Sequence, residues 1–261
     1  MAENAPEYRE LRQHFTPYHI PELLDLIHGD KQTVYARKQG PASWGSYRDL
    51  FADTEYTVTI ESTIRDNTHW SWYCITEEEP PPDMDLETIN TRPIQETGLI
   101  LGYPNCCTSA CKTWNKYQLN PRTEPLTWME HIPFYLNRFN RQYTILSHFP
   151  CSGTCKHSLE IGKQRFELLR QADQEIAKTY RENLSGLVLS HPDKGTGIIT
   201  TYEQEGDTIH YDDFNRLSDS GDSKFIDELQ YNTQLTILGE NQFTVGGHMF
   251  DDPDFSAVVY D

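Results

Sequence analysis

The chain has 261 residues, 36% of them hydrophobic and 12% aromatic, enough to bury a core in one large domain or two small ones. Its formal net charge of -18 excludes a basic footprint for nucleic-acid phosphates and disfavours an anionic membrane surface. No run approaches the ~20 apolar residues of a membrane helix, and the polar start MAENAPEYRELRQHF lacks a secretory apolar region, so a cytoplasmic protein is expected.

The N-terminal segment, 1–85, reads as mixed α/β. In PYHIPELLDLIHG the residues Ile20, Leu23, Leu24 and Ile27 fall at helical spacing, and Gly29 can end the helix. TVYARK, YTVTIES and HWSWYCIT are β-branched or aromatic runs and predict strands. EEEPPPDMD, from Glu77 to Asp85, joins three acids to three prolines and reads as a loop or boundary.

Residues 86–185 read as a helical, cysteine-bearing region. Pro93 is placed to start a helix through IQETGLILG, and Pro104 another through NCCTSACKTWNKY. A further helix is expected over LTWMEHIPFYLNRF, weakened by Pro133. The longest helical pattern is SLEIGKQRFELLRQADQEIAKTYRENL, with Leu159, Phe166, Leu169, Ile176, Tyr180 and Leu184 on an apolar stripe. The last segment, 186–261, returns to strands: GLVLSH, TGIITTYEQEGDTIHY and QLTILGENQFTVGG, with hairpin turns at Glu205-Gly206-Asp207 and Gly239-Glu240-Asn241 and a polar loop at RLSDSGDSKF. The expected fold class is α+β, a helical middle flanked by β-containing segments.

Five of the six cysteines lie in two short stretches, LGYPNCCTSACKTW and HFPCSGTCKHS. Each has a proline followed within three residues by a cysteine, and each contains C-x-x-x-C. Proline suits the first helical turn, where its missing N–H costs nothing. Thiols in that turn sit at the positive end of the helix dipole, which favours the thiolate, the form that binds metals. Two such starts facing each other would gather four or five thiolates, and a metal or cluster is their natural counter-ion. The plain alternative is buried free cysteine, which behaves as a small hydrophobe, and Cys74 in WSWYCIT is read that way.

GLILGYPNCC and HFPCSGTCKHSLEIG resemble the signature stretches of an uncharacterised prokaryotic family, a domain of unknown function with G-Y-P-x-C-C and H-x-P-C-S-x-x-C motifs. The resemblance covers roughly residues 93–165 and implies Cys106, Cys107, Cys151 and Cys155 as the ligand set. The family usually carries an aromatic residue where this chain has Cys111, which sets Cys111 apart. It implies no assigned activity.

Four thiolates suit tetrahedral zinc or an iron–sulfur cluster. Adjacent cysteines chelate one small ion with strain, whereas a cubane offers each its own iron. A Cys-Cys pair with two distant cysteines also resembles the cluster site of the quinone-proximal subunit of respiratory complex I, as a ligand pattern only. The expected cofactor is therefore a [4Fe-4S] cluster, with zinc as the alternative. Around it, His148 and His157 are candidate ligands, proton donors or neighbours of ligands, against the ordinary reading of surface or hydrogen-bonded histidines. Ser152 and Ser158 can cap a helix or donate to sulfur, and Tyr103 can line a pocket or simply pack. HPDKGTG lacks P-loop spacing, and no G-x-S-x-G, H-E-x-x-H or G-x-G-x-x-G motif occurs.

Three functions follow: an iron–sulfur enzyme or electron carrier of redox or sulfur chemistry; a structural-zinc protein whose β-rich region binds a partner; and a metal-free thiol redox protein. The substrate or partner is an unspecified small molecule or protein. Five cysteines and two histidines exceed what a purely structural zinc needs, which tilts the reading toward chemistry.

Overall fold

The computed structural model describes residues 6–29, 31–39, 48–65, 68–76, 94–110, 129–138, 140, 142–191, 193–218 and 224–261. Contacts within the chain divide it into two units. One comprises Met1–Thr113, Ile145–Phe149 and Glu160–Ala177; the other comprises Trp114–Thr144, Pro150–Leu159 and Lys178–Asp261.

The first unit opens with two short helices, α1 (Tyr8–His14) and α2 (Ile20–His28). The expected helix at Ile20 forms and ends at Gly29. It is buried on every side from Ile20 to Ile27, including Glu22 and Asp25. A helix buried all round is normally apolar all round, so these two acids require partners in the interior. All three expected strands form: β1 (Thr33–Gln39), β2 (Thr57–Arg65) and β3 (Thr68–Thr76). They make an antiparallel sheet with β3 in the centre. Four consecutive residues of β3, Tyr73, Cys74, Ile75 and Thr76, are buried, and since side chains alternate, both faces of the strand are covered at this end. Cys74 lies opposite Tyr35 and packs against Leu101 with Tyr35, Ile100 and Tyr103, which fits its reading as a small hydrophobe. The acidic, proline-rich stretch 77–85 lies outside the described residues.

Helices α3 (Ile94–Ile100) and α4 (Asn105–Ala110) follow. They pack closely at Gly98, where an added Cβ would clash with the Thr108 side chain. The helix expected over LTWMEHIPFYLNRF is corrected. Within its described part the chain forms strand β4 (Glu130–Ile132) and a single 3-10 turn, Phe134–Leu136. Pro133 breaks the helical ladder, and β4 finds its backbone partners in parallel pairing with the last strand. The single long helix expected from Ser158 to Leu184 is also corrected. It is two helices, α5 (Lys156–Ala172) and α6 (Gln174–Leu184). Asp173 accepts hydrogen bonds on its carboxylate from the N–H groups of Glu175 (3.0 Å) and Ile176 (3.2 Å), capping a new start.

The second unit is dominated by an eight-stranded sheet. Its further strands are β5 (Gly186–His191), β6 (Gly195–Glu205), β7 (Thr208–Ser218), β8 (Gln234–Gly239), β9 (Gln242–Val245), β10 (His248–Asp251) and β11 (Ser256–Tyr260). The order is β10-β9-β8-β7-β6-β5-β11-β4. Both hairpin turns lie where expected, with Gly206 (φ 60) and Asn241 (φ 61) supplying the left-handed residue that a tight hairpin requires. The polar-loop expectation at RLSDSGDSKF is corrected at both ends: β7 runs to Ser218, and helix α7 spans Lys224–Tyr231. Helix α7 lays Phe225, Ile226 and Leu229 on Leu187, Ile199, Ile209, Leu235 and Phe243 of the sheet. Phe225, Phe243 and Phe255 meet pairwise edge to face, with centroids 4.9 to 5.8 Å apart. Helices and strands thus coexist throughout, an α+β protein. No helix among the described residues is long and apolar enough to cross a membrane.

Candidate metal centre

The first cysteine stretch is set by a glycine and a proline in succession. Gly102 ends α3 in the left-handed region (φ 71), where a side chain would be strained. Its N–H bonds to Leu99 O at 3.0 Å, and that of Tyr103 to Gly98 O at 2.8 Å, the paired bonds of a Schellman cap. Pro104 then launches α4: its carbonyl accepts from Cys107 N (2.9 Å) and Thr108 N (3.0 Å). GYP is therefore a stop followed at once by a start. It places Cys106 and Cys107 in the first turn of α4, the first exposed and the second buried.

The second stretch is built differently, and the expectation of a matching helix start is corrected. Cys151 to Thr154 form bends and turns, and α5 begins only at Lys156, so Cys151 lies in a loop and Cys155 at the helix entry. Cys155 N–H bonds to Ser152 O (3.2 Å), and the Cys155 carbonyl accepts the first bond of α5 from Leu159 N (2.9 Å). Cys155 is buried and Cys151 half-buried. The buried Ser158 hydroxyl donates to Cys155 Sγ at 3.4 Å, so this serine serves the sulfur. Ser152 faces Thr154 instead, with hydroxyls 3.3 Å apart.

Cys106, Cys107, Cys151 and Cys155 bring their Sγ atoms all within 4.8 Å of one another. The two adjacent sulfurs are 3.9 Å apart. Four soft donors at that spacing fit a metal ion. Cys111 lies outside the described residues. His157 is exposed on the first turn of α5 and does not join the group. His148 is buried and also stands apart from it; its ring packs on Tyr103 with centroids 5.4 Å apart.

Tyr103 leads to a set of residues that the sequence reading passed over. Its phenol is hydrogen-bonded with Ser147, and burial, with the Glu22 charge nearby, pushes its pKa far up, so it stays neutral. Ser147 Oγ donates to Glu22 Oε1 at 2.7 Å and receives Arg165 Nη1 at 3.0 Å. Arg165 Nε donates to Asp25 Oδ2 at 2.8 Å. Lys31 Nζ lies 2.9 Å from Glu22 Oε1, donates to Leu101 O at 2.7 Å and sits 5.2 Å from the centre of the Tyr103 ring. All four charged side chains are buried, two acids against two bases. Burial alone would raise the Glu22 carboxyl. The charges of Lys31 and Arg165, with hydrogen bonds from Lys31 and Ser147, overcome it and hold the group at about 2. Burial pulls Lys31 below its ordinary value, and the Glu22 charge opposes that. The sequence did carry one signal: two acids three residues apart inside IPELLDLI, a helix otherwise apolar.

A second group of metal-type ligands lies in the second unit: His191, Asp252 and Asp254. Here two of the three donors are already committed. His191 Nδ1 accepts from the N–H groups of Asp193 (3.0 Å) and Lys194 (3.2 Å), so the proton resides on Nε2, which faces Asp252 Oδ2 at 3.2 Å. Lys194 Nζ contacts the same carboxylate oxygen at 2.6 Å. The hydrogen bond from Lys194 holds the Asp252 carboxyl well below the usual range, helped by the Asp254 backbone and by His191. No protein-family model, curated protein or solved structure matches the chain.

Proposed function

We propose that this is a metalloprotein whose Cys106, Cys107, Cys151 and Cys155 hold one thiophilic ion in tetrahedral coordination, zinc being the first choice. The sulfur spacing carries the reading. Zn–S bonds of ~2.3 Å in a tetrahedron set sulfur–sulfur edges of roughly 3.8 Å. The pair at 3.9 Å and the mutual limit of 4.8 Å fall close to that edge. A cubane asks more room, because each thiolate binds its own iron and stands outside the cube. Four thiolates complete a tetrahedral ion and leave it no open position, so its contribution is to lock the two cysteine stretches together.

The [4Fe-4S] cluster expected from the cysteine pattern is the second reading, favoured by one observation. Cys106 is exposed and Cys151 half-exposed, so that side of the group can move outward to admit a wider cofactor. On this reading the protein is an electron carrier or an enzyme of redox or sulfur chemistry. On the zinc reading, the β-rich region is the part left to bind a partner.

Purification without oxygen, followed by metal and sulfide analysis, separates these. About one zinc per chain in a colourless protein, lost when Cys107 is replaced by serine, supports the single-ion centre. A brown protein with iron and acid-labile sulfide overturns it in favour of the cluster. Absence of both, with all thiols titratable, leaves the thiol redox reading.

A further inference from the structure

We propose that Glu22 and Asp25 of α2, with Lys31, Ser147 and Arg165, are positioning residues for the cysteine centre; the inference rests on the metal reading above. None of them belongs to the ligand group, yet Lys31 and Arg165 bind, and Ser147 lies on, backbone segments that lead toward the ligands, with Glu22 and Asp25 anchoring them. Lys31, anchored on Glu22, donates to the carbonyl of Leu101 and covers Tyr103, the residues on either side of the Gly102 turn that launches Cys106 and Cys107. Ser147 binds Glu22 and lies four residues before Cys151. Arg165 binds Asp25 and donates to the carbonyl of Ile145 at 3.4 Å; it sits on α5, the helix that Cys155 enters. One short buried helix therefore holds the approaches to both halves of the ligand set through its two acids.

The chemistry explains why the interior tolerates four charges here. A well-packed apolar core would be at least as stable as this cluster, so stability alone does not account for it. Charged hydrogen bonds are directional, and they fix the segments they join more narrowly than apolar contacts do. A centre whose sulfurs must arrive at tetrahedral edges gains from that restriction. Groups beyond the ligands that orient them contribute tenfold or more to metal affinity in other proteins.

The test uses the full-length chain and cobalt(II) as a visible probe, titrated in competition with a chromophoric chelator. Cobalt held by four thiolates gives intense thiolate-to-metal absorption that reports both occupancy and geometry. Replacing both members of the pair, Glu22→Gln with Lys31→Met, avoids leaving one buried charge alone. The expected result is about tenfold weaker cobalt binding and altered absorption bands, with the far-ultraviolet circular dichroism of the metal-free chain unchanged. Ser147→Ala, which removes a single hydroxyl, should fall between the double variant and the wild type. Wild-type affinity and bands in Ser147→Ala and in the double variant would overturn the positioning role while leaving the metal reading intact. A wild-type chain that binds no cobalt, or binds it equally after Cys107→Ser, would overturn the metal reading itself.

Discussion

Two groups of metal-type side chains occur among the described residues, and they differ in what already neutralises them. In the group of His191, Asp252 and Asp254, two nitrogen and oxygen donors are already engaged: Lys194 pairs with Asp252, and two backbone N–H groups occupy the imidazole lone pair. The four cysteines are soft donors, with the Ser158 hydroxyl donating to one of their sulfurs. Proximity is common to both, so proximity does not define a metal site. What distinguishes them is donor type, together with the lysine that the chain has placed on the carboxylate of the first group.

The largest expected effect tests the cysteine side of that contrast. Cys107→Ser or Cys155→Ser removes a buried ligand and opens a soft ion's coordination. Metal affinity should fall by more than a hundredfold, measured by competition with a chelator, and Cys155→Ser should additionally release the Ser158 hydroxyl from its sulfur.

The next effect sharpens the contrast from the interior. Glu22 is held at about 2, below the ordinary carboxyl value of 4.5. Its contribution is therefore complete above 4.5 and is lost as pH falls from there toward 2. At ~1.4 kcal/mol per unit, the loss is on the order of 3 kcal/mol. Denaturant unfolding of the metal-free chain between pH 6 and 3 should show about 2 kcal/mol of this fall in the wild type, and Glu22→Gln should flatten it. An equally steep fall in the variant would mean that other carboxyls carry the acid sensitivity.

Legibility in the sequence followed the range of the interactions. Period and turn residues are local, and β1 to β3, β5 to β9, α2, and the turns at Gly206 and Asn241 are visible in them. The two cysteine stretches could be read as one site because their residue types demand a shared partner. Features that depended on a distant segment were not visible. Glu130–Ile132 becomes a strand because β11 pairs with it. Helix α7 sits inside a stretch whose polar start hides the apolar face of Phe225, Ile226 and Leu229. The buried acids of α2 depend on Lys31 and Arg165, which pair with them from elsewhere in the chain. Cys155 looked helical by analogy with Cys106, yet Ser152 and Gly153 turn the chain first.

A smaller effect checks the cysteine that was set aside. Cys74→Ser places a hydroxyl against Leu101 and Tyr35 in a packed sheet. It should cost on the order of 1 kcal/mol in unfolding free energy and leave bound metal unchanged. Metal loss equal to that of Cys107→Ser would make Cys74 part of the centre.

The smallest effect belongs to the committed group, and it is the sharpest test of why the two groups differ. If Lys194 stands where a cation would, Lys194→Met removes that cation and leaves Asp252 and Asp254 exposed to solution ions. The imidazole nevertheless stays unable to ligate, because its Nδ1 lone pair still receives the N–H of Asp193 and its Nε2 still carries the proton. Two carboxylates without a third donor hold a divalent ion weakly. The variant should therefore bind the same amount of zinc per chain as the wild type, and its unfolding midpoint should be unchanged within error, since Lys194 and Asp252 are both partly exposed to water. A second equivalent of zinc in Lys194→Met would show that the backbone hold on His191 yields to a metal. The lysine would then be the only thing separating an ion pair from a second metal site.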